Sequence, residues 1–146
     1  MKVYIIAIGK CRRGSPEYEL IEEYKKRSSW ELIIKEHDNS TQENEAAFLQ
    51  DSLPKGAKVI VLDERGDNVK SVELAQKCEK WMSDGCSCIC FLIGGADGHL
   101  ASTREKADML LSFGKMTMPH MLIRAVLAEQ IYRIQTIING HPYHRN

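Results

Sequence analysis

Apolar positions in this chain alternate between two rhythms from one end to the other. Lys2 to Gly9 is a nearly continuous apolar run, as expected of a strand covered on both faces. Ser15-Pro16-Glu17 follows with a helix cap, a proline at the first helical position and an acid in the first turn. That predicts a helix to about Ser28, then a strand over Trp30 to Glu36. Ser40-Thr41-Gln42-Glu43 reads as a capping box, opening a helix that ends near Leu53, ahead of Pro54 and Gly56. Ala57 to Leu62 is a second apolar run, ended by Asp63-Glu64-Arg65-Gly66. Helical spacing returns over Ser71 to Ser83, and Cys86 to Ile93 is the third strong strand. A second capping box, Ser102-Thr103-Arg104-Glu105, predicts a short helix to about Asp108, and Leu110 to Met116 predicts a short strand. His120 to Ile138 is the longest helix, closed by Asn139-Gly140. Its apolar residues, Leu122, Ile123, Val126, Leu127, Ile131, Ile134, Ile137 and Ile138, exceed one stripe. Burial on two sides is therefore expected, the second against a subunit partner.

Strands alternating with helices define the fold class as α/β, a mostly parallel sheet between helix layers. The 146 residues form a single domain, 1–146, with no repeat or linker. No apolar stretch reaches the ~18 residues needed to span a bilayer. The opening run is followed at once by Lys10-Cys11-Arg12-Arg13 and lacks signal-peptide features, so a cytoplasmic protein is expected. The five cysteines argue against a disulfide framework. Cys86, Cys88 and Cys90 alternate along a strand ~6.7 Å apart, too far for thiolates sharing one zinc. They read as small buried hydrophobes, and no metal is expected.

Net charge is zero, which weighs against a general polyanion binder. Its distribution is uneven, with ten acids against four bases over 16–51. Lys115, Arg124, Arg133 and Arg145 face only Glu129 after Ser112, which suggests a small basic face suited to nucleic acid.

Three late segments carry the candidate chemistry. Gly94-Gly95-x-x-Gly98 follows a strand, where glycines let backbone approach a ligand or make a tight turn. It is not the dinucleotide GxGxxG pattern. Phe113 to Pro119 mixes Gly114, Lys115 and Thr117 with Phe113, Met116 and Met118, a loop that could grip an adenine-like ring. Asp63 and Glu64 end a strand and either hold a ribose hydroxyl or cap a turn. His141, Tyr143, His144 and Arg145 crowd the tail beyond a helix-ending glycine. Histidine moves protons near neutral pH, and arginine forks onto phosphate.

Together with Arg124-x-x-Leu127-x-Glu129-Gln130-x-Tyr132-Arg133, these ordered motifs closely resemble the RlmH family of SPOUT-class methyltransferases. The resemblance covers the whole chain, is strongest after residue 90 and is weakest in the acidic segment. It implies a carboxyl-terminal trefoil knot, a homodimer, S-adenosylmethionine as cofactor, and methylation of N3 of a pseudouridine in 23S ribosomal RNA on assembled ribosomes. Carried over by position, the cofactor contacts fall on Leu62, Gly94, Phe113, Gly114, Lys115, Met116, Thr117 and Met118, and the tail handles the target nucleotide. A uracil-type N3 is protonated at neutral pH, so a base is needed. His144 is the expected base, Arg145 would hold phosphate or a carbonyl, and Tyr143 or His120 would position. A non-catalytic RNA-binding module would not need the glycine loop, and a nucleotide-dependent oxidoreductase would need the missing fingerprint.

Overall fold

In a computed structural model, residues 1–145 are described, and they divide into two compact units. Each is assembled from three separate stretches of chain. The first contains Met1–Lys10, Leu32–Asn68 and Cys86–Lys115; the second contains Cys11–Glu31, Val69–Gly85 and Met116–Asn146.

The first unit is built on a five-stranded sheet in the order β2-β1-β4-β3-β5. The strands are β1 (Lys2–Ile8), β2 (Glu31–His37), β3 (Lys58–Asp67), β4 (Cys88–Ile93) and β5 (Met109–Leu111). The β1–β4, β4–β3 and β3–β5 pairs are parallel. Every residue of β4 is buried, as its unbroken apolar run requires of a central parallel strand. On one face, Ile6, Ile8, Val61, Cys88, Cys90 and Leu92 pack with Leu49 and Phe48 of helix α2 (Gln42–Asp51). Thr41 caps α2 by accepting from the Asn44 amide at 3.1 Å. The side chains of the predicted capping box are used differently: Ser40 gives its backbone N–H to Glu45 at 2.9 Å. A one-turn helix, α4 (Ala101–Glu105), separates β4 from β5.

The second unit gathers three helices, α1 (Pro16–Arg27), α3 (Ser71–Ser83) and α5 (His120–Asn139), with α5 packing on both others. Ser15 caps α1 through the Tyr18 amide at 3.2 Å, and Gly140, at φ +72°, ends α5. Buried Gln135 ties α5 to the chain leaving α1. Its Oε1 accepts from the amides of Ser29 and Trp30 at 2.9 and 3.1 Å. One flank of α5 is buried through Ala125, Leu127, Ala128, Ile131 and Ile134. The other is only partly covered: Leu122 is exposed and Ile123, Val126, Ile137 and Ile138 are half-buried.

Two strand boundaries differ from the pattern reading. β5 stops at Leu111 instead of reaching Met116, because the Ser112 side chain turns the chain, accepting from the Gly114 amide at 3.2 Å and donating to its carbonyl at 3.0 Å. β3 does not end at Leu62. Residues 63–66 loop out and the strand resumes, so that Leu62 and Asp67 both lie opposite Leu111. Asp63 shapes this loop by accepting from the Arg65 amide at 2.9 Å, so it caps a turn and is not free to hold a ribose. Gly66 permits the rejoining. A Cβ there would sit 2.6 Å from the Leu111 nitrogen, which no side chain tolerates.

Candidate functional site

Three of the sequence-predicted segments meet at the carboxyl edge of the sheet. Leu62 pairs in register with Ile93 on one side and Leu111 on the other. Leu62, Gly94 and the Phe113-Gly114-Lys115 turn therefore follow three neighbouring strands in a row, where ligands bind in open α/β sheets. Leu62 and Phe113 are half-buried, and Gly114 has φ +118° with open space where a side chain would stand. Lys115 is exposed. Met116, Thr117 and Met118 open the second unit; Met116 is 86 % exposed and so walls nothing in this chain.

The glycines after β4 serve a purpose different from simple ligand access. A Cβ on Gly94 would lie 3.1 to 3.2 Å from the His99 ring, and one on Gly95 would lie 2.8 Å from a Glu45 carboxylate oxygen. The turn is thus thin because two buried polar side chains fill the space beside it. Gly98, at φ +74°, supplies the left-handed residue. His99 is 7 % exposed. Its Nε2 lies 3.1 Å from the Leu62 carbonyl oxygen, which can only accept, so Nε2 carries the proton. Its Nδ1 is buried with no hydrogen-bond partner. Burial pushes the His99 pKa down and Arg104 adds to this, against the opposing pull of Asp63 and the Leu62 carbonyl. Arg104 also donates to the His99 carbonyl at 2.7 Å and stands 3.8 Å from Asp63. Sequence reading missed His99 and Glu45, since a lone histidine after a turn and an acid in an acidic helix carry no pattern.

A second cluster lies in the helical unit. Arg133 on α5 meets Glu129 one turn earlier through two parallel bonds, Nε to Oε1 at 2.9 Å and Nη2 to Oε2 at 3.0 Å. The remaining guanidinium nitrogen, Nη1, donates to His144 Nδ1 at 3.0 Å. Tyr143 donates its hydroxyl to Glu129 at 3.3 Å, lies under the Arg133 guanidinium at 4.9 Å and meets Tyr132 edge-on. Burial, with help from Tyr24 and Glu129, pushes the Tyr143 pKa up to about 12, so Tyr143 is a donor at neutral pH. The tail motif is held in place by this cluster as far as His144, while Arg145 is exposed. The i, i+4 spacing of Glu129 and Arg133 was the available sequence signal.

Some expected companions are not brought together. His120 opens α5, thirteen residues before Arg133, which on a helix is about 20 Å. Within one chain it does not meet the tail cluster. The expected basic face also shrinks, because Arg124 is fully buried and Arg133 is matched to Glu129. Lys115 and Arg145 remain as its exposed members. Cys88 and Cys90 behave as the small hydrophobes expected, and burial pushes both thiols up. Among the described residues there is no cluster of three His, Cys, Asp or Glu side chains placed to hold a metal ion. No helix among them is long and apolar enough to cross a membrane.

The family model described as "Predicted SPOUT methyltransferase" matches residues 1–144. A ribosomal RNA large subunit methyltransferase H from Paramagnetospirillum magneticum is 47 % identical over 152 residues, covering 99 % of each chain. The protein of that name from Zymomonas mobilis is 47 % identical over 145 residues, again with 99 % of each covered. The one from Roseobacter denitrificans is 41 % identical over 157 residues and the full length of both. A parallel sheet with its strand-end turns in a row, a tail pinned to its last helix and likeness along the whole chain agree: this chain belongs to the SPOUT methyltransferases, and within them to the family of these relatives.

Proposed function

We propose that the chain transfers a methyl group from S-adenosylmethionine to N3 of a pseudouridine in large-subunit ribosomal RNA. It works on assembled ribosomes in the cytoplasm, as a homodimer with a carboxyl-terminal trefoil knot. The observation that carries this reading is the row of Leu62, Gly94 and Phe113–Lys115 along three adjacent strand ends. The residues present suit such a cofactor. Leu62 and Phe113 offer half-buried apolar surface for an adenine, the Phe113–Met118 turn offers backbone N–H and C=O groups for its edge, and the buried His99 Nδ1 retains unused acceptor capacity beside Gly94. When bound, the sulfonium supplies an electrophilic methyl group.

The chain's own residues would align the acceptor and stabilise the charge that develops on it. His144, Arg145, Tyr143 and His120 are the groups proposed to handle the target nucleotide. Two features support the remaining parts. The partly covered flank of α5, with exposed Leu122, suits a second copy. The side-chain-free approach of Gly66 to the β5 backbone suits a chain that threads closely near its end.

Transfer of radiolabelled methyl from S-adenosylmethionine to whole ribosomes, 50S subunits and free rRNA, all lacking the modification, tests the proposal. Label in whole-ribosome rRNA at one pseudouridine is the expected result. Absence of label in all three, despite cofactor binding, would require a different acceptor.

A further inference from the structure

The sequence suggests His144 as the base that removes the N3 proton, and the geometry around it points elsewhere. Resting on the function proposed above, we infer that Glu129 and Arg133 are positioning residues that fix His144 as a hydrogen-bond donor to the acceptor base. The argument starts from arginine, whose guanidinium has five N–H donors and no acceptor. Arg133 Nη1 stands 3.0 Å from His144 Nδ1, so Nδ1 accepts and its lone pair is engaged. In a neutral imidazole the proton then resides on Nε2. The nitrogen that His144 presents away from Arg133 therefore gives a hydrogen bond; it has no lone pair with which to take a proton.

Arg133 is itself immobilised. The paired bonds to Glu129 fix its plane, and the Tyr143 ring stacks at 4.9 Å. Glu129 raises the Arg133 pKa further, so the guanidinium stays charged and its hydrogen bond to Nδ1 is kept at every working pH. Glu129 thus reaches His144 through Arg133, as a second group orients a catalytic imidazole in many enzymes. The sense here is reversed. A carboxylate touching Nδ1–H makes Nε2 a base, whereas a guanidinium touching Nδ1 makes Nε2–H a donor.

A donor suits the acceptor's chemistry. Removing the N3 proton from a uracil ring leaves negative charge shared with the two flanking carbonyl oxygens. A hydrogen bond to one of those oxygens stabilises that charge and makes N3 easier to deprotonate. The step balances without a protein base: the N3–H proton passes to water, the N3–methyl bond forms, and the sulfur–methyl bonding pair stays on sulfur. His144 contacts the reacting base throughout and keeps its proton.

Two variants separate the roles. A glutamine at 144 can place an amide N–H near the Nε2 position but cannot act as a base. Donor chemistry predicts that His144→Gln keeps turnover within about tenfold of the parent, while His144→Ala loses about a hundredfold or more. Cofactor affinity, measured separately by calorimetry, should be unchanged in both. Equal losses in the two variants would overturn the inference. Long-range proton–nitrogen NMR on the full-length, histidine-labelled protein provides the second readout, with the His144 signals assigned by their loss in His144→Gln. Nδ1 should be unprotonated and Nε2 protonated, with the preference weakened in Arg133→Gln. A proton on Nδ1 in the parent would also overturn it. A parent protein that methylates no ribosomal substrate would instead sink the functional reading, and the NMR result would still decide the tautomer.

Discussion

An imidazole at position 99 sits where burial resists its charge, and that has a measurable consequence. The His99 pKa is lowered from its ordinary value of about 6.5. Protonation is therefore easier in the unfolded chain than in the folded one. Stability is full above that ordinary value and declines as pH falls through it toward the lower folded pKa. Asp63 moderates the effect and Arg104 strengthens it. Urea unfolding at pH 7.5 and 5.5 should show a larger loss for the parent than for His99→Gln, which has nothing to titrate there. Equal losses would mean that carboxylates elsewhere control the acid limb. Gln135 makes a second residue-scale case. Replacing it with Leu leaves the amides of Ser29 and Trp30 without their acceptor. An orphaned buried donor costs about 1–3 kcal/mol, so Gln135→Leu should lower the denaturant midpoint with little change in slope.

At the scale of elements, β3 is the informative one. Its continuation to Asp67 depends on Gly66, where any side chain would meet the backbone of Leu110 and Leu111. Gly66→Ala should cost about 1–3 kcal/mol, as overpacking against rigid backbone does, and thermal melts would register it. The same strand shows what the pattern could convey. Ala57 to Leu62 was legible because apolar runs report burial on both faces. Residues 63–67 were not, because a strand that loops out and resumes is held by one carboxylate turn and one missing side chain, and neither has a period. For the same reason α1, α3 and α5 were placed within a residue or two from caps and spacing, while β5 was drawn too long: the stop at Leu111 comes from the Ser112 hydroxyl. The candidate site divides likewise. Strand-end turns are visible as glycines after apolar runs, whereas the filling behind them by His99 and Glu45 depends on long-range packing.

At the scale of the whole molecule, the order of strands in the sheet differs from their order in the chain. β4 stands between β1 and β3 yet follows both. Until residue 93 has left the ribosome, β1 and β3 share no neighbour, and each exposes a row of unanswered N–H and C=O groups. The helical unit waits longer still, since α1 and α3 pack on α5, the last helix. Neither unit can fold as a finished piece while the other is still being made, because their stretches alternate along the chain. Synthesis therefore has a long interval in which apolar strands and helices exist without their partners. For this chain, exposure to misassembly is greatest during its own translation and falls abruptly once the last forty or so residues emerge.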